Sequence, residues 1–306
     1  MNNSEVLFLY DAKMTNPNGN VDDENRPRMD YDTQRNLVSD VRLKRYIRDY
    51  LQELGKELYV GEVEGKTVNA EQRLEALFSR YPDKVDKKSW NEEIERWMLD
   101  QLIDVRLFGA TMAVKGNALA YTGPVQFSWG YSLNPVRLME NTITTHFSST
   151  GTQEQGTMGK DYRVVYSFLA FYGQVSGRRA KITRMTEDDL QLLDEAMIKA
   201  IPLMTSRSKI GQAPRLYMRI EYKDDMTMVG DWREQLPALP SGLNQIDEVT
   251  LSADRLANKL ETALDKIQVI HFWQDAELRW SLNGEMGALD VLLPSAVREK
   301  IKYFQV

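Results

Sequence analysis

Four cations, Arg42, Lys44, Arg45 and Arg48, fall within two turns of a single helical stretch. Leu43, Ile47, Tyr50, Leu51 and Leu54 recur there at i, i+4, i+7 and i+8, which makes one apolar face and leaves the cations on the rest of the surface. Ser39 or Asp40 supplies the N-cap. A helix N-terminus presents free backbone N–H groups and prefers an anion, and cations in the same turn add to that preference. The chemistry this suits is the holding of a phosphodiester chain, although an ordinary solvated helix face would carry the same charges.

The stretch before the helix is rich in turns and charge. It runs Asn16-Pro17-Asn18-Gly19, then Asp22-Asp23-Glu24, then Asn25-Arg26-Pro27-Arg28. Asn and Gly tolerate left-handed backbone, so tight turns are expected. Two further segments use the same vocabulary. Gly156-Thr157-Met158-Gly159-Lys160 sets small residues beside a cation. Arg207, Lys209 and Arg215 share a turn with Ser206, Ser208 and Gln212, residue types that contact phosphate and sugar. The Gly-x-x-Gly spacing resembles a KH loop without the helices that such a module needs. The aromatic consensus of ordinary RRM proteins is absent, so base stacking on a sheet face is not indicated.

Catalytic patterns fail one by one. The chain has two histidines, His146 and His271, and no cysteine, which excludes a His/Cys zinc site. His271 is expected to be a packed strand residue. Ser206-x-x-Lys209 lacks the companion motifs of a β-lactamase-like enzyme, and no Gly-x-Ser-x-Gly elbow exists. Gly151-x4-Gly156 is followed by Thr157 rather than Lys, so it is not a P-loop. Asp22, Asp23 and Glu24 could hold a hard cation, but the EF-hand pattern is missing and a solvated loop is the simpler reading. No cofactor is expected.

The formal charge of −6 on 306 residues hides a segregated distribution. Residues 26–48 carry seven Arg/Lys against three Asp/Glu, residues 141–184 six against two, and residues 203–220 four against none. Those windows together hold +12, leaving −18 elsewhere, so one face can bind phosphate while the remainder repels it. Hydrophobic content of 42% and charged content of 27% are those of a globular protein. No apolar run approaches the roughly 18 residues of a membrane span. The first residues lack a basic-then-apolar signal pattern, and a cytoplasmic location is expected.

The elements that must position these residues read as α+β. Val6–Tyr10 is a nearly all-apolar run, expected as a buried central strand. Asn69 opens a helix bearing Leu74, Leu77, Phe78 and Tyr81, and Ser89 with Glu92 makes a capping box for the next. Residues 105–115 and 121–132 are expected as strands. Residues 133–160 have no helical period and are expected to form an exposed hairpin or extended loop. Tyr162–Val175 reads as a strand, and Thr186 with Asp189 caps a helix bearing Leu190, Leu193, Met197 and Ile201. Leu216, Met218, Ile220 and Tyr222 alternate with polar neighbours, as in a half-buried strand. A helix capped by Ser252 and a strand over Val269–Trp273 follow.

Taken together, Asn16-Pro17-Asn18-Gly19, Asn25-Arg26-Pro27-Arg28 and the helix Asp40–Leu51 resemble the Csh/Csd-type backbone subunit of CRISPR Cascade complexes. That is the seventh-numbered Cas protein family, of type I-B or, next, type I-C. Gly123-Pro124-Val125-Gln126-Phe127, Glu140-Asn141-Thr142-Ile143-Thr144, Met158-Gly159-Lys160 and Pro214-Arg215-Leu216 extend the resemblance over roughly the first 220 residues in consistent order. Ser128-Trp129-Gly130-Tyr131-Ser132 departs from the family's usual pattern at one turn.

The resemblance implies a modified RRM (ferredoxin-like) palm with a helical finger insertion and a β-hairpin thumb. The palm would occupy 1–54, 105–132 and 161–306, with a C-terminal extension, while the finger would be 55–104 and the thumb 133–160. It implies a non-catalytic subunit that polymerises along the crRNA and presents it to target DNA, beside further copies of itself and other Cascade subunits, with no membrane. Asn18, Arg26, Arg28, Arg42, Lys44, Arg45, Met158, Gly159, Lys160, Arg207, Lys209 and Arg215 are the expected RNA-binding residues. The alternative is a type III-like subunit that cleaves target RNA with a loop aspartate, Asp22, Asp23 or Asp30.

Overall fold

A computed structural model describes residues 1–62, 65–66, 68–81, 91–114, 117–144 and 158–304. The fold is mixed α+β around one large sheet. Its first strand, Ser4–Thr15, lies between Met158–Val175 and Gln212–Tyr222 and is antiparallel to both, with Phe8 opposite Phe171 on one side and Tyr217 on the other. Ile267–Gln274 and Ile301–Tyr303 continue the sheet past Gln212–Tyr222, while Gly130–Ser132 and Arg35–Val38 continue it past Met158–Val175. The expected central strand is therefore present, and its continuous apolar character follows from burial on both faces.

Alternation along that strand feeds two cores. Val6, Phe8 and Tyr10 pack with Leu43, Tyr46 and Ile47 of the basic helix (Asp40–Glu53) and with Leu190, Leu193 and Met197 of the helix Glu187–Lys199. Leu7 and Leu9 pack on the opposite face with Phe168, Met218, Trp232, Leu256 and Trp280. The basic helix and Glu187–Lys199 thus cover one face, and the C-terminal third covers the other.

The helical stretch after the basic helix contains Ala70–Phe78 and Glu92–Gln101. Asn69 caps the first through a capping box with Gln72. Asn91, not Ser89, caps the second; Ser89 lies outside the described residues. Leu74, Leu77, Met98, Leu99, Leu102, Val105 and Met112 form a third, smaller core there. The Thr186–Asp189 capping box is present as expected. Ala253 takes the N-cap position of Asp254–Thr262, one residue beyond Ser252, whose Oγ donates to Asp254.

Two expectations are corrected. Residues 103–108 are helix (Ile103–Phe108), and the strand begins only at Gly109, where φ of +76° ends the helix. Four residues of Val-Arg-Leu-Phe are too few to separate a buried helical turn from a strand. Gln212–Tyr222 is buried on both faces rather than one. The helix Glu187–Lys199 brings Asp194 over its polar face, and Arg219 meets that carboxylate at 2.8 and 2.6 Å.

The 133–160 stretch contributes Leu138–Thr144, which pairs antiparallel with the start of Met158–Val175, from Leu138 opposite Val164 to Thr144 opposite Met158. The expected tip, residues 145–157 with His146, lies outside the described residues. His271 is packed as expected: its Nε2 lies 3.1 Å from Glu221, and its ring stacks on Phe304. Among the described residues, no helix is long and apolar enough to cross a membrane.

Candidate nucleic-acid interface

The joint between loop and helix is built first. Ser39 is the N-cap, and its Oγ accepts from the Arg42 N–H at 3.2 Å. Asn18 Oδ1 accepts from Ser39 N and Oγ at 2.9 and 3.0 Å, so the Asn16–Gly19 turn is docked on the helix start. A Cβ on Gly19 would lie 1.9 Å from Asn25 Oδ1 and 2.9 Å from Asn25 O, so both the side chain and the backbone of Asn25 would have to shift. Asn18 is therefore a structural tie of the loop.

The helix cations point in different directions. Arg42 lies over the Tyr46 ring at 4.0 Å, and its Nε and one terminal nitrogen are buried without a hydrogen-bond partner. Arg45 is half-exposed and pairs with Asp49 at 2.6 Å. Lys44 corrects the expectation of a phosphate grip. It is buried, donates to Asp40 and Gln126 at 3.2 and 2.9 Å, and sits over Phe108. The signal for this was present, since Lys44 shares the i, i+3, i+7 stripe with buried Ile47 and Leu51.

Arg215 is the second correction. A β-bulge between the Leu9–Leu216 and Tyr10–Pro214 pairs leaves it unpaired in the ladder. It turns inward to Asp11 at 3.1 Å and to Asp275 and Glu277 at 2.6 Å each. A buried arginine answered by three carboxylates is committed to ion pairs within the fold rather than set out as an exposed cation.

Lys209 is a staple. Its Nζ donates to the carbonyls of Asn16 and, at 3.2 Å, Pro17, while Asn16 N donates to Ser208 O at 2.9 Å. Burial and the neighbouring Arg42 push its amine down to about 7. The 203–211 turn is thereby fixed to the loop that caps the basic helix.

Around that joint lies a cavity of about 260 Å³. Asn16, Asn25, Lys160, Tyr162, Ser206 and Arg207 line it, together with Glu24, Asp161 and Ser208. Three stretches far apart in sequence therefore meet: the 16–28 loop, the start of Met158–Val175, and the 203–211 turn. Lys160 is half-exposed, 3.3 Å from Glu24 and 3.4 Å from Glu140. Tyr162 and those carboxylates hold its ammonium well above the usual lysine range. Arg26 stacks over Tyr162 at 4.5 Å and donates to its hydroxyl at 3.1 Å. That hydroxyl donates to Glu24 at 2.5 Å, which with Lys160 holds the Glu24 carboxyl below its ordinary value. Arg207 is exposed and reaches Asp161 at 3.4 Å.

Not every expected residue comes here. Arg28 faces the exposed Trp129 ring at 5.9 Å and, like Arg45, does not line the cavity. Met158 and Gly159 sit in strand pairing with Thr144 and Ile143. Sequence reasoning missed Tyr162, Asp161 and Arg163 at this place, and it read Glu24 only as a cation ligand or solvated loop residue and gave Glu140 no role. Arg163 binds Asp161 at 2.8 Å and Met14 O at 2.7 Å. The alternation Lys160-Asp161-Tyr162-Arg163 was the available signal, masked by the apolar run after it. Among the described residues, no group of three His, Cys, Asp or Glu is arranged to hold a metal.

The family described as "CRISPR-associated protein Cas7" matches residues 2–235. This chain belongs to the Cas7 family. A CRISPR-associated protein Cas7 of Haloferax volcanii is 34% identical over 93% of this chain and 90% of its own length. The fold is similar to a chain of a "CRISPR RNA-guided surveillance complex, pre-nicking", with TM-score 0.57, 12% identity, and coverage of 89% of this chain and 93% of that one. A second chain, from a "CRISPR RNA-guided surveillance complex", gives TM-score 0.54, 14% identity, and coverage of 89% and 88%. At those identities the likeness concerns the fold.

Proposed function

We propose that this Cas7-family chain is a non-catalytic backbone subunit of a type I CRISPR surveillance complex of subtype I-B, with I-C next. It holds the crRNA by its sugar–phosphate chain, polymerises along it, and presents its bases to target DNA beside the other Cascade subunits. In this reading the helical segment 55–104 is the finger and 133–160 the thumb of an RRM-like palm. The protein is cytoplasmic.

One observation carries the reading. Lys160, Arg207 and Arg26 come from three separate stretches, yet Lys160 and Arg207 line one polar cavity and Arg26 stacks on Tyr162 in its wall. Holding RNA without reading its sequence requires phosphate contacts and no catalytic group. In guide complexes base pairing supplies sequence, and protein supplies shape. A head-to-tail filament also needs two unlike surfaces on each protomer, a requirement to which charge segregated along the chain is suited. The alternative, a subunit that cleaves RNA, would use Asp22, Asp23 or Asp30; of these the Asp30 carboxylate already accepts from Thr33 Oγ1 at 2.6 Å and Asp32 N at 3.1 Å.

The test is binding of a guide-length RNA by the purified chain over a salt series. The expected result is a linear fall of log K with log salt, alike for unrelated sequences. An affinity indifferent to salt would end the proposal. Periodic cutting of matched RNA by the assembled complex with Mg²⁺, abolished by Asp22→Ala, Asp23→Ala or Asp30→Ala, would replace it with the nuclease alternative.

A further inference from the structure

The cations around Lys160 are each answered within the chain. Arg26 lies 3.9 Å from Asp23 and 3.6 Å from Glu140. Lys160 lies 3.3 Å from Glu24 and 3.4 Å from Glu140, while Arg163 and Arg207 share Asp161 at 2.8 and 3.4 Å. Among the described residues, four cations thus meet four carboxylates, and the cluster as it stands is neutral. A phosphate chain is drawn by an excess of positive charge, which this arrangement does not offer until a carboxylate leaves it.

The four carboxylates are not equally free to leave. Glu140 and Asp161 stand on the paired strands Leu138–Thr144 and Met158–Val175. Asp23 and Glu24 ride on the turn Val21–Asn25, which is joined to the fold by a ladder of two residue pairs, Gly19 with Pro27 and Asn20 with Arg26. Val21, Asp22 and Glu24 are exposed there. Only Glu24 reaches from this turn into the cavity, where it meets Lys160 and accepts from the Tyr162 hydroxyl at 2.5 Å. Its backbone is left-handed, with φ of +46°, and Asn25 follows at +62°. Residues other than glycine keep such angles where their surroundings hold them, and they gather at clamps and switches. Asn25 is held through its carbonyl, which accepts from Asn16 Nδ2 at 2.7 Å, and so serves as the hinge. Glu24 is held through its side chain alone among these contacts, and so forms the free end.

We propose that Glu24 is an autoinhibitory latch: its carboxylate occupies Lys160 in place of a phosphate and swings out with the Val21–Asn25 turn when an RNA phosphate displaces it. Its departure gives the cluster a surplus positive charge and frees the Lys160 ammonium and the Tyr162 hydroxyl as donors. The inference rests on the RNA-holding function proposed above and adds a threshold to it, because a strand that makes too few contacts leaves the latch shut.

The experiment uses the full chain and an oligouridine of about eight nucleotides at about 0.15 M salt, where exposed charges farther apart than about 8 Å are largely screened. Glu24→Gln is expected to raise affinity about fivefold, the upper end of what an exposed ion pair contributes. Asp22→Asn makes the same change of charge on the same turn, at an exposed residue that does not line the cavity, and is expected to raise it less than about twofold. The chain has no cysteine, so Asp22→Cys carries a single spin label. Its spectrum is expected to sharpen when the RNA is added, and to be sharp without RNA once Glu24→Gln is combined with it. Equal gains from Glu24→Gln and Asp22→Asn, or a spectrum that RNA broadens or leaves unchanged, overturn the latch and leave phosphate holding in place. Wild-type binding indifferent to salt ends both.

Discussion

Lys209 Nζ donates to the carbonyl oxygens of Asn16 and Pro17, the latter at 3.2 Å, and so ties the 203–211 turn to the loop that caps the basic helix. A cation that reads as a phosphate ligand in the sequence is thereby committed to backbone. Its amine, pushed down to about 7 by burial and Arg42, lies below the roughly 10.4 of an unfolded lysine. Between those values the unfolded chain keeps a proton that the folded chain has lost, so this group makes stability rise with pH across that window. Lys209→Met is expected to flatten the rise between about pH 7 and 9.5, as read by urea midpoints. It is also expected to leave the salt slope of RNA binding unchanged. A slope lower by about one would make Lys209 a phosphate contact after all.

Asn18 presents the same distinction between tie and ligand. Its Oδ1 accepts two hydrogen bonds from Ser39, the N-cap of the basic helix. Asn18→Ala is expected to cost about 1–2 kcal/mol by denaturation, the range of a lost cap interaction. RNA affinity should fall with it through a loosened loop, again without a change in salt slope. Full stability in the variant would mean that the loop does not depend on this contact.

What the sequence made legible follows physical range. Val6–Tyr10 could be read because a strand buried on both faces must be continuously apolar, and Asn69 and Thr186 because capping is local. Arg215 could not be read. Its fate depends on a bulge between two strands some two hundred residues apart and on Asp275 and Glu277 beyond them. The pairing of Tyr162 with Glu24 likewise spans 138 residues. The 26–48 and 203–220 windows do meet, but part of their charge is spent inside the fold, on Lys44, Arg215 and Arg219.

Arg219 and Asp194 allow that internal use of charge to be measured. Both are almost fully buried, and the guanidinium grips the carboxylate with one bond to each oxygen while Tyr217 donates to Asp194 Oδ1. Removing Asp194 leaves the buried guanidinium with only the more distant Glu221, 3.6 Å away, at a cost of about 3 kcal/mol. Asp194→Ala is expected to lose that much in urea unfolding, and the double variant Asp194→Leu with Arg219→Met distinctly less. Equal losses from the single and the double variant would mean that packing, not the poorly answered charge, sets the cost.

The cations at the cavity divide differently from the buried ones. Lys160 and Arg207 are half-exposed or exposed; Lys160 is held by Tyr162 and the surface carboxylates of Glu24 and Glu140, and Arg207 by a long 3.4 Å contact to Asp161, pairings that water and salt weaken. A phosphate can displace such partners, and each contact so made releases counterions. Lys160→Ala and Arg207→Ala are therefore each expected to lower the log K against log salt slope by about one, and to weaken binding equally for unrelated RNA sequences. Lys44→Met is the control. Its ammonium is enclosed by Asp40, Gln126 and Phe108, so the variant should change stability and leave the slope alone. A slope lowered by Lys44→Met and untouched by Lys160→Ala would move the interface to the opposite side of the basic helix.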